Sequence, residues 1–153
     1  MDIQSIKINA NSNATETISK VKTCISVLLP SSEQENFKIE SVSGGYGNPI
    51  TTIEYTSYDR NLNHAILSTL SSRLNHETKF QIADELEKRL DPKAILHLRF
   101  SKRSLTQNQI QLSSQSDSVR VLIKFSLNNH KWDIRKNLME LNEFLMYIGL
   151  VES

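Results

Sequence analysis

Hydrophobic and polar residues alternate along several short segments of the chain, a pattern typical of β-strands with one buried face. In "SVRVLIKF", Val119, Val121, Ile123 and Phe125 point one way and Arg120 and Lys124 the other. The same alternation predicts strands over residues 6–10, 37–42, 50–55, 94–100 and 118–125. A further stretch, "QIQLS" at 109–113, could be a short strand.

Between these segments, apolar residues recur every three or four positions and predict amphipathic helices. Asn13 followed by Glu16 has the form of a capping box, and Asp59 and Asn75 are suited to begin the second and third helices. Pro30 is expected to stop the first helix. The four apolar stripes are Ala14, Ile18, Val21, Ile25 and Leu28; Leu62, Ile66, Leu70 and Leu74; Phe80, Ala83, Leu86 and Leu90; and Ile134, Leu138, Leu141, Leu145 and Ile148.

The order of the elements is strand, helix, two strands, two helices, two or three strands and a last helix. Helices with one apolar stripe and strands with one apolar face favour an α+β fold, a two-layer sandwich in which helices pack on one face of a mainly antiparallel, mixed sheet. At 153 residues, without repeats or a long linker, we expect a single domain spanning 1–153.

Charge is distributed unevenly although the net charge is only +1. Residues 93–136 hold nine Lys and Arg against two Asp, whereas the segments on either side are each net negative by three. Such asymmetry indicates an anionic partner. The alternative is a solvated cationic face balanced by an acidic one.

The alternation places cations on the strand face that points away from the helices. Lys7, His97, Arg99, Arg120 and Lys124 lie on that face, and Lys102 and Arg103 extend it into a polar loop. Such a surface suits phosphate groups, so we predict that Arg99, Lys102, Arg103, Arg120 and Lys124 contact RNA, with Lys7 peripheral. No aromatic residues project there, so contacts would be to the RNA backbone. Charges that only keep the sheet soluble would give the same pattern.

Three of the four glycines lie in one short loop, Gly44-Gly45-Tyr46-Gly47-Asn48, before Pro49. Glycine and asparagine tolerate left-handed backbone, so the loop can be a tight connection between two strands. Its backbone amides could also meet a phosphate. Both interpretations remain open.

Three stretches in order resemble an archaeal family of small RNA-binding-type proteins, usually described as a predicted exosome subunit or exosome-associated protein. They are the aromatic-Gly-Asn-Pro-Ile loop at 46–50, the strand end "LRFSKR" at 98–103 and "DSVRVLIK" at 117–124. The resemblance covers roughly residues 3–148. It implies a fold similar to the ribosomal protein that binds five-S ribosomal RNA, and RNA, exosome or ribosomal proteins as partners. Ser101 and Arg103 stand where the family has an acid and Gln, and no glycine follows them.

The sequence shows no catalytic constellation. The four histidines are scattered, and Cys24 lies beside an apolar stripe, as a core residue would. We therefore expect no enzymatic activity, metal or cofactor. The start of the chain lacks the apolar core of a secretory signal, no run approaches the length of a membrane span, and a lone cysteine suits a reducing compartment, so we expect a cytoplasmic protein. The alternative function is a protein-interaction adaptor or a self-associating module, for which a dimer is possible.

Overall fold

The structure, a computed structural model, describes residues 1–13, 16–33, 36–43, 49–126 and 133–152. The glycine loop at 44–48 lies outside these ranges. The strands are β1 (Asp2–Ser12), β2 (Lys38–Ser43), β3 (Pro49–Ser57), β4 (Ile95–Phe100) and β5 (Val119–Ser126). The helices are α1 (Ile18–Ser26), α2 (Arg60–Arg73), α3 (His76–Asp84), α4 (Leu86–Arg89), α5 (Lys102–Thr106) and α6 (Ile134–Tyr147), with a 3₁₀ turn at Ser31–Glu33.

The five strands form one antiparallel sheet in the order β2-β3-β1-β5-β4. The predicted α+β fold is confirmed. Alternation along β5 is complete, since every second residue from Val119 to Phe125 is buried and the residues between are half-buried. On the β2–β3 pair, Ile39 faces Ile53 and Lys38 faces Glu54, so the apolar and charged residues of these strands lie on opposite faces.

The chain divides into two compact units that interleave along the sequence. The first unit comprises Met1–Ile6, Ser57–Leu98 and Leu122–Ser153, and the second comprises Lys7–Thr56 and Arg99–Val121. Each has its own set of fully buried apolar side chains. These include Ile66, Leu70, Leu96, Ile123 and Leu141 in the first unit, and Ile8, Val21, Ile25, Ile53 and Phe100 in the second.

Two of the predicted helix starts are confirmed by side-chain caps. Asp59 Oδ1 accepts a hydrogen bond from the backbone N–H of Leu62, and Asn75 Oδ1 accepts one from Thr78. The first helix starts later than predicted, because its cap is Thr17 rather than Asn13. It also ends at Ser26, before Pro30 is reached.

The predicted third helix is two helices. The chain breaks its α-helical path at Glu85, and α4 follows as a single short turn. Ile82 and Leu86 are buried, whereas Phe80, which we expected in the apolar stripe, is 49% exposed. The prediction for Phe80 was wrong because it placed Phe80 on one helix face with Leu86 and Leu90, which lie beyond the break at Glu85.

The predicted polar loop after β4 contains the helix α5. Its C-terminal side continues into residues that approach β4 again, where Leu112 forms an isolated bridge with Phe100. The stretch 109–113, considered as a short strand, therefore contributes a single bridging residue.

Candidate nucleic-acid interface

Five of the six predicted RNA-contacting residues lie in the second unit. The sixth, Lys124, is on β5 in the first unit. The environments of the five differ greatly in burial and pairing. The five residues are Lys7 on β1, Arg99 on β4, Lys102 and Arg103 on α5, and Arg120 on β5.

Residues 99–113 leave the end of β4, form α5 and return to the same end of β4. Ser101 caps α5 by accepting a hydrogen bond from the N–H of Ser104. Asn108 then takes a left-handed conformation with φ of 58°, which reverses the chain without glycine. The returning backbone donates from Ser113 N–H to the Arg99 carbonyl at 2.8 Å. Arg99 and Arg103 are thus both exposed on a segment fixed by its own hydrogen bonds.

The ammonium group of Lys102 is enclosed by oxygen acceptors. Nζ donates to the Asn11 carbonyl at 2.6 Å, to Glu16 Oε1 at 3.1 Å and to Asp117 Oδ1 at 2.6 Å. These three bonds use all three ammonium hydrogens, and only 11% of the side chain is exposed. Lys102 therefore ties α5 to β1 and to the segments before α1 and β5. It offers no free hydrogen to a phosphate while these bonds hold, so the RNA contact predicted for it would require at least one of them to break.

Lys7 is also paired, although more weakly. Its Nζ lies 3.9 Å from Glu54 Oε1, and 43% of the side chain is exposed. An exposed pair at this distance contributes little to stability and can be exchanged for another anion. The peripheral contact predicted for Lys7 stays a prediction.

The three arginines of the second unit are different. Among the described residues, Arg99, Arg103 and Arg120 form no ion pair within 4 Å. Arg99 and Arg103 are exposed, while Arg120 is half-buried on β5. The Nε of Arg120 is buried and has no hydrogen-bond partner among the described residues. A buried donor without an acceptor is unfavourable, so this nitrogen lowers the stability of the folded chain.

Lys124 is half-buried in the first unit and likewise has no ion pair among the described residues. His97, expected on the same face, is held by Asp91, with 2.9 Å between its Nε2 and Asp91 Oδ2. Burial alone would raise the pKa of Asp91, but hydrogen bonds from His97, Ile95 and Lys93 outweigh it and hold that pKa below its usual value. His97 is therefore a structural partner of Asp91.

Sequence reasoning missed two further cations in the second unit. Lys20 is exposed and Lys22 half-buried on α1, the helix that packs against α5. Neither has an ion pair among the described residues. Their positions on the polar side of the α1 stripe were visible in the sequence. The packing of α1 on α5, which brings them to the same unit as Arg103, was not.

The described ranges contain no cluster of three or more His, Cys, Asp or Glu that could hold a metal ion. Nor does any helix in them have the length and apolar character needed to cross a membrane. Cys24, expected in the core, is buried, and burial raises the pKa of its thiol. The loop residues Gly44, Gly45, Tyr46, Gly47 and Asn48, considered as a possible contact, are outside the described residues.

A family model described as RNA binding matches residues 5–125 of the chain. This range holds all six predicted contact residues. The chain belongs to this RNA-binding family. A curated relative, the RNA-binding protein PAB1135 of Pyrococcus abyssi, is 25% identical over 128 residues, which cover 81% of this chain and 82% of the relative.

Solved archaeal structures share the fold. Protein AF2318 from Archaeoglobus fulgidus, a DUF54 protein, has a TM-score of 0.76 and 25% identity, covering 96% of this chain and 99% of its own. Mth689 from Methanothermobacter thermautotrophicus, also DUF54, has a TM-score of 0.72 and 23% identity over 95% and 97% of the two chains. A UPF0201 protein from Methanococcus jannaschii has a TM-score of 0.52 and 16% identity over 90% and 98%.

Proposed function

We propose that the chain binds RNA through phosphate contacts made by Arg99, Arg103 and Arg120 of the second unit. The observation that carries the proposal is the difference in pairing among neighbouring cations. Lys7 and Lys102 already have carboxylate partners, whereas these three arginines have none among the described residues. Lys20 and Lys22 would extend the surface along α1. Lys124, in the first unit, is a separate candidate contact.

Arginine suits this role physically. The guanidinium is always charged and presents donors in a fork that matches two phosphate oxygens. Arg99 and Arg103 are fully available for such contacts because both are exposed. Arg120 is half-buried on β5 and has no ion pair among the described residues, so its guanidinium is the third candidate contact. Backbone contacts of this kind position RNA without reading its sequence.

The test is a fluorescence titration of structured and single-stranded RNA at several salt concentrations. Removing one phosphate contact should lower the salt slope by about 0.7 and the affinity by about fivefold at 0.1 M salt. The double variant Arg99→Glu/Arg103→Glu should therefore bind at least roughly 25-fold more weakly, because it removes two such contacts and adds repulsion. Both side chains are exposed, so the variant should fold.

The matched control is Lys93→Glu/Lys136→Glu, which makes the same charge change at two exposed positions of the first unit. It should change the affinity little. Equal reductions in affinity for the two variants would mean that only overall charge matters and would remove the arginine surface from the proposal. Unchanged binding by Arg99→Glu/Arg103→Glu would do the same.

We further propose that the protein is non-catalytic and acts with RNA-processing machinery such as the exosome, or with ribosome-related particles. The support for this step is the resemblance of the stretches 46–50, 98–103 and 117–124 to the exosome-associated family. A direct check is to mix purified exosome with the protein after nuclease treatment and measure association by sedimentation. A complex that survives nuclease would support protein contacts with the machinery, and free sedimentation of both would oppose them.

A further inference from the structure

A groove of about 600 Å³ lies in the first unit between the α3–α4 segment and α6. Its apolar lining consists of Phe80 and Ala83 of α3, Leu86 of α4, and Leu138 and Met139 of α6. Phe80 is 49% and Met139 is 76% exposed, although both are large apolar side chains. Aromatic residues and methionine are enriched where proteins meet proteins, and methionine adapts to varied partners. Large apolar side chains that stay exposed beside a groove are therefore typical of a surface that contacts another protein.

The charged residues that line the groove are all acidic in the described part of the chain. Asp84, Glu87 and Glu152 are among the lining residues, which include no lysine or arginine in the described part of the chain. Glu152 is already paired with His76 at 2.6 Å and with Lys79 at 3.8 Å. Asp84 and Glu87 are exposed and have no ion pair among the described residues. Two free carboxylates thus border the apolar surface. Arg135 and Lys136 at the beginning of α6 are exposed but do not line it.

We propose that this groove docks a basic amphipathic helix of a partner protein. Apolar side chains of the partner would cover Phe80 and Met139, and its Lys or Arg side chains would pair with Asp84 and Glu87. Helices commonly bind in this way, with apolar anchors in a groove and complementary charges at the rim. This role is separate from RNA binding, which we propose for Arg99, Arg103 and Arg120 of the second unit; Lys124, the candidate contact in the first unit, does not line the groove.

The charge of the groove distinguishes this occupant from two others. RNA is disfavoured because its phosphates would meet two unpaired carboxylates. A second copy bound by the same surface is disfavoured because a two-fold interface places identical patches against each other and would bring acidic residues together.

The probe is a fluorescein-labelled synthetic helix with leucines on one face and lysines beside them, made as long as α6, which has 14 residues. A second peptide carries glutamates in place of the lysines. Fluorescence anisotropy should show saturable binding of the lysine peptide and at least about tenfold weaker binding of the glutamate peptide. Carbon-13 labelling of the three methionine methyl groups locates the contact. The Met139 signal should shift on titration and the Met1 signal should not.

Two variants with the same charge change separate the groove from the rest of the acidic surface. Asp84→Lys/Glu87→Lys should weaken binding of the lysine peptide about tenfold, since two attractions become repulsions. Glu140→Lys/Glu143→Lys, at exposed positions of α6 that do not line the groove, should have little effect. Met139→Glu, at a side chain 76% exposed, should fold and should also weaken binding about tenfold or more.

Several results would overturn the proposal. They are no saturable binding of the lysine peptide, equal binding of both peptides, equal effects of the two charge variants, and an unshifted Met139 signal. A chain that is dimeric at the titration concentration and becomes monomeric in Met139→Glu would assign the groove to a second copy instead. RNA binding is measured independently through Arg99→Glu/Arg103→Glu, so either proposal can fail while the other holds.

Discussion

Lys102 and Arg103 are adjacent in the sequence but differ in their surroundings: Lys102 is paired and nearly buried, and Arg103 is exposed. One pair of substitutions tests whether Lys102 stabilises the fold and Arg103 contacts RNA, as we propose. Methionine has similar length and no charge, so Lys102→Met and Arg103→Met remove the charges with little change in side-chain volume. Lys102→Met should lower the free energy of unfolding and leave RNA affinity unchanged. Arg103→Met should leave the free energy of unfolding unchanged and lower RNA affinity.

The size of the Lys102 effect follows from its three acceptors. Asp117 is 53% exposed, so water largely replaces the missing ammonium group, and the loss of this bond contributes little to the loss of stability. Glu16 is only 19% exposed, and its carboxylate loses a charged donor, as does the carbonyl of Asn11. Losing charged hydrogen bonds at such partly buried sites costs about 2–4 kcal/mol. For a chain of this length the melting temperature should fall by roughly 4–16 °C.

The expected effect of Arg103→Met on stability is within about 0.5 kcal/mol, because the side chain is exposed and unpaired in the described part of the chain. Its RNA affinity should fall about fivefold at 0.1 M salt, with the salt slope smaller by about 0.7. Urea unfolding gives the free energy of unfolding of each variant, and RNA titration gives the RNA affinity of each. The reasoning is refuted if Lys102→Met keeps wild-type stability and loses RNA affinity, since Lys102 would then contact RNA after all.

Two further substitutions test local features. Burial and the hydrogen bond from its hydroxyl to Glu33 raise the pKa of Tyr55. The folded chain therefore keeps the phenol proton above pH 10, whereas the unfolded chain loses it. The free energy of unfolding should therefore decline as the pH rises above 10. Tyr55→Phe should cost about 1–2 kcal/mol at pH 7 and lose that alkaline decline in urea titrations; an unchanged pH profile would contradict the assignment. Gly149 follows α6 with φ of +85°, and an added Cβ would lie 3.7 Å from Ser71 Cβ, an ordinary contact. Gly149→Ala should therefore lower the stability only by the energy of placing alanine in a left-handed conformation, about 1–2 kcal/mol. Thermal unfolding measures this loss, and a variant as stable as the wild type would contradict the explanation.

The sequence predicted those parts of the fold that depend on local periodicity. The alternation of Val119 to Phe125 and the stripe of Ile66 and Leu70 were sufficient, because each depends only on neighbours in the chain. Asp59 and Asn75 were identified as caps for the same reason. The helix α5 escaped prediction because five residues are too few to show a stripe. Phe80 was misplaced because the break at Glu85 has no proline or glycine to reveal it.

The candidate site was predictable in composition but not in pairing. Alternation identified Arg99 and Arg120 as outward-facing cations, and the charge of the 93–136 segment indicated the type of partner. The acceptors that enclose Lys102 include Asn11 and Glu16, which are 91 and 86 residues away in sequence. Only the tertiary structure brings such groups together, so no local pattern could distinguish the enclosed Lys102 from the open Arg103.

The bridges at both ends of β4 have a consequence for how copies of this chain can associate. β4 is the last strand of the sheet order, and a terminal strand normally leaves backbone donors and acceptors that recruit further strands. Leu90 bridges Leu96 at the beginning of β4, and Leu112 bridges Phe100 at its end. The backbone of the chain itself thus occupies both ends of this edge. A strand added from another chain would therefore meet backbone already paired at both ends of β4, whereas at the opposite edge of the sheet it would meet β2 with its charged pair Lys38 and Glu40.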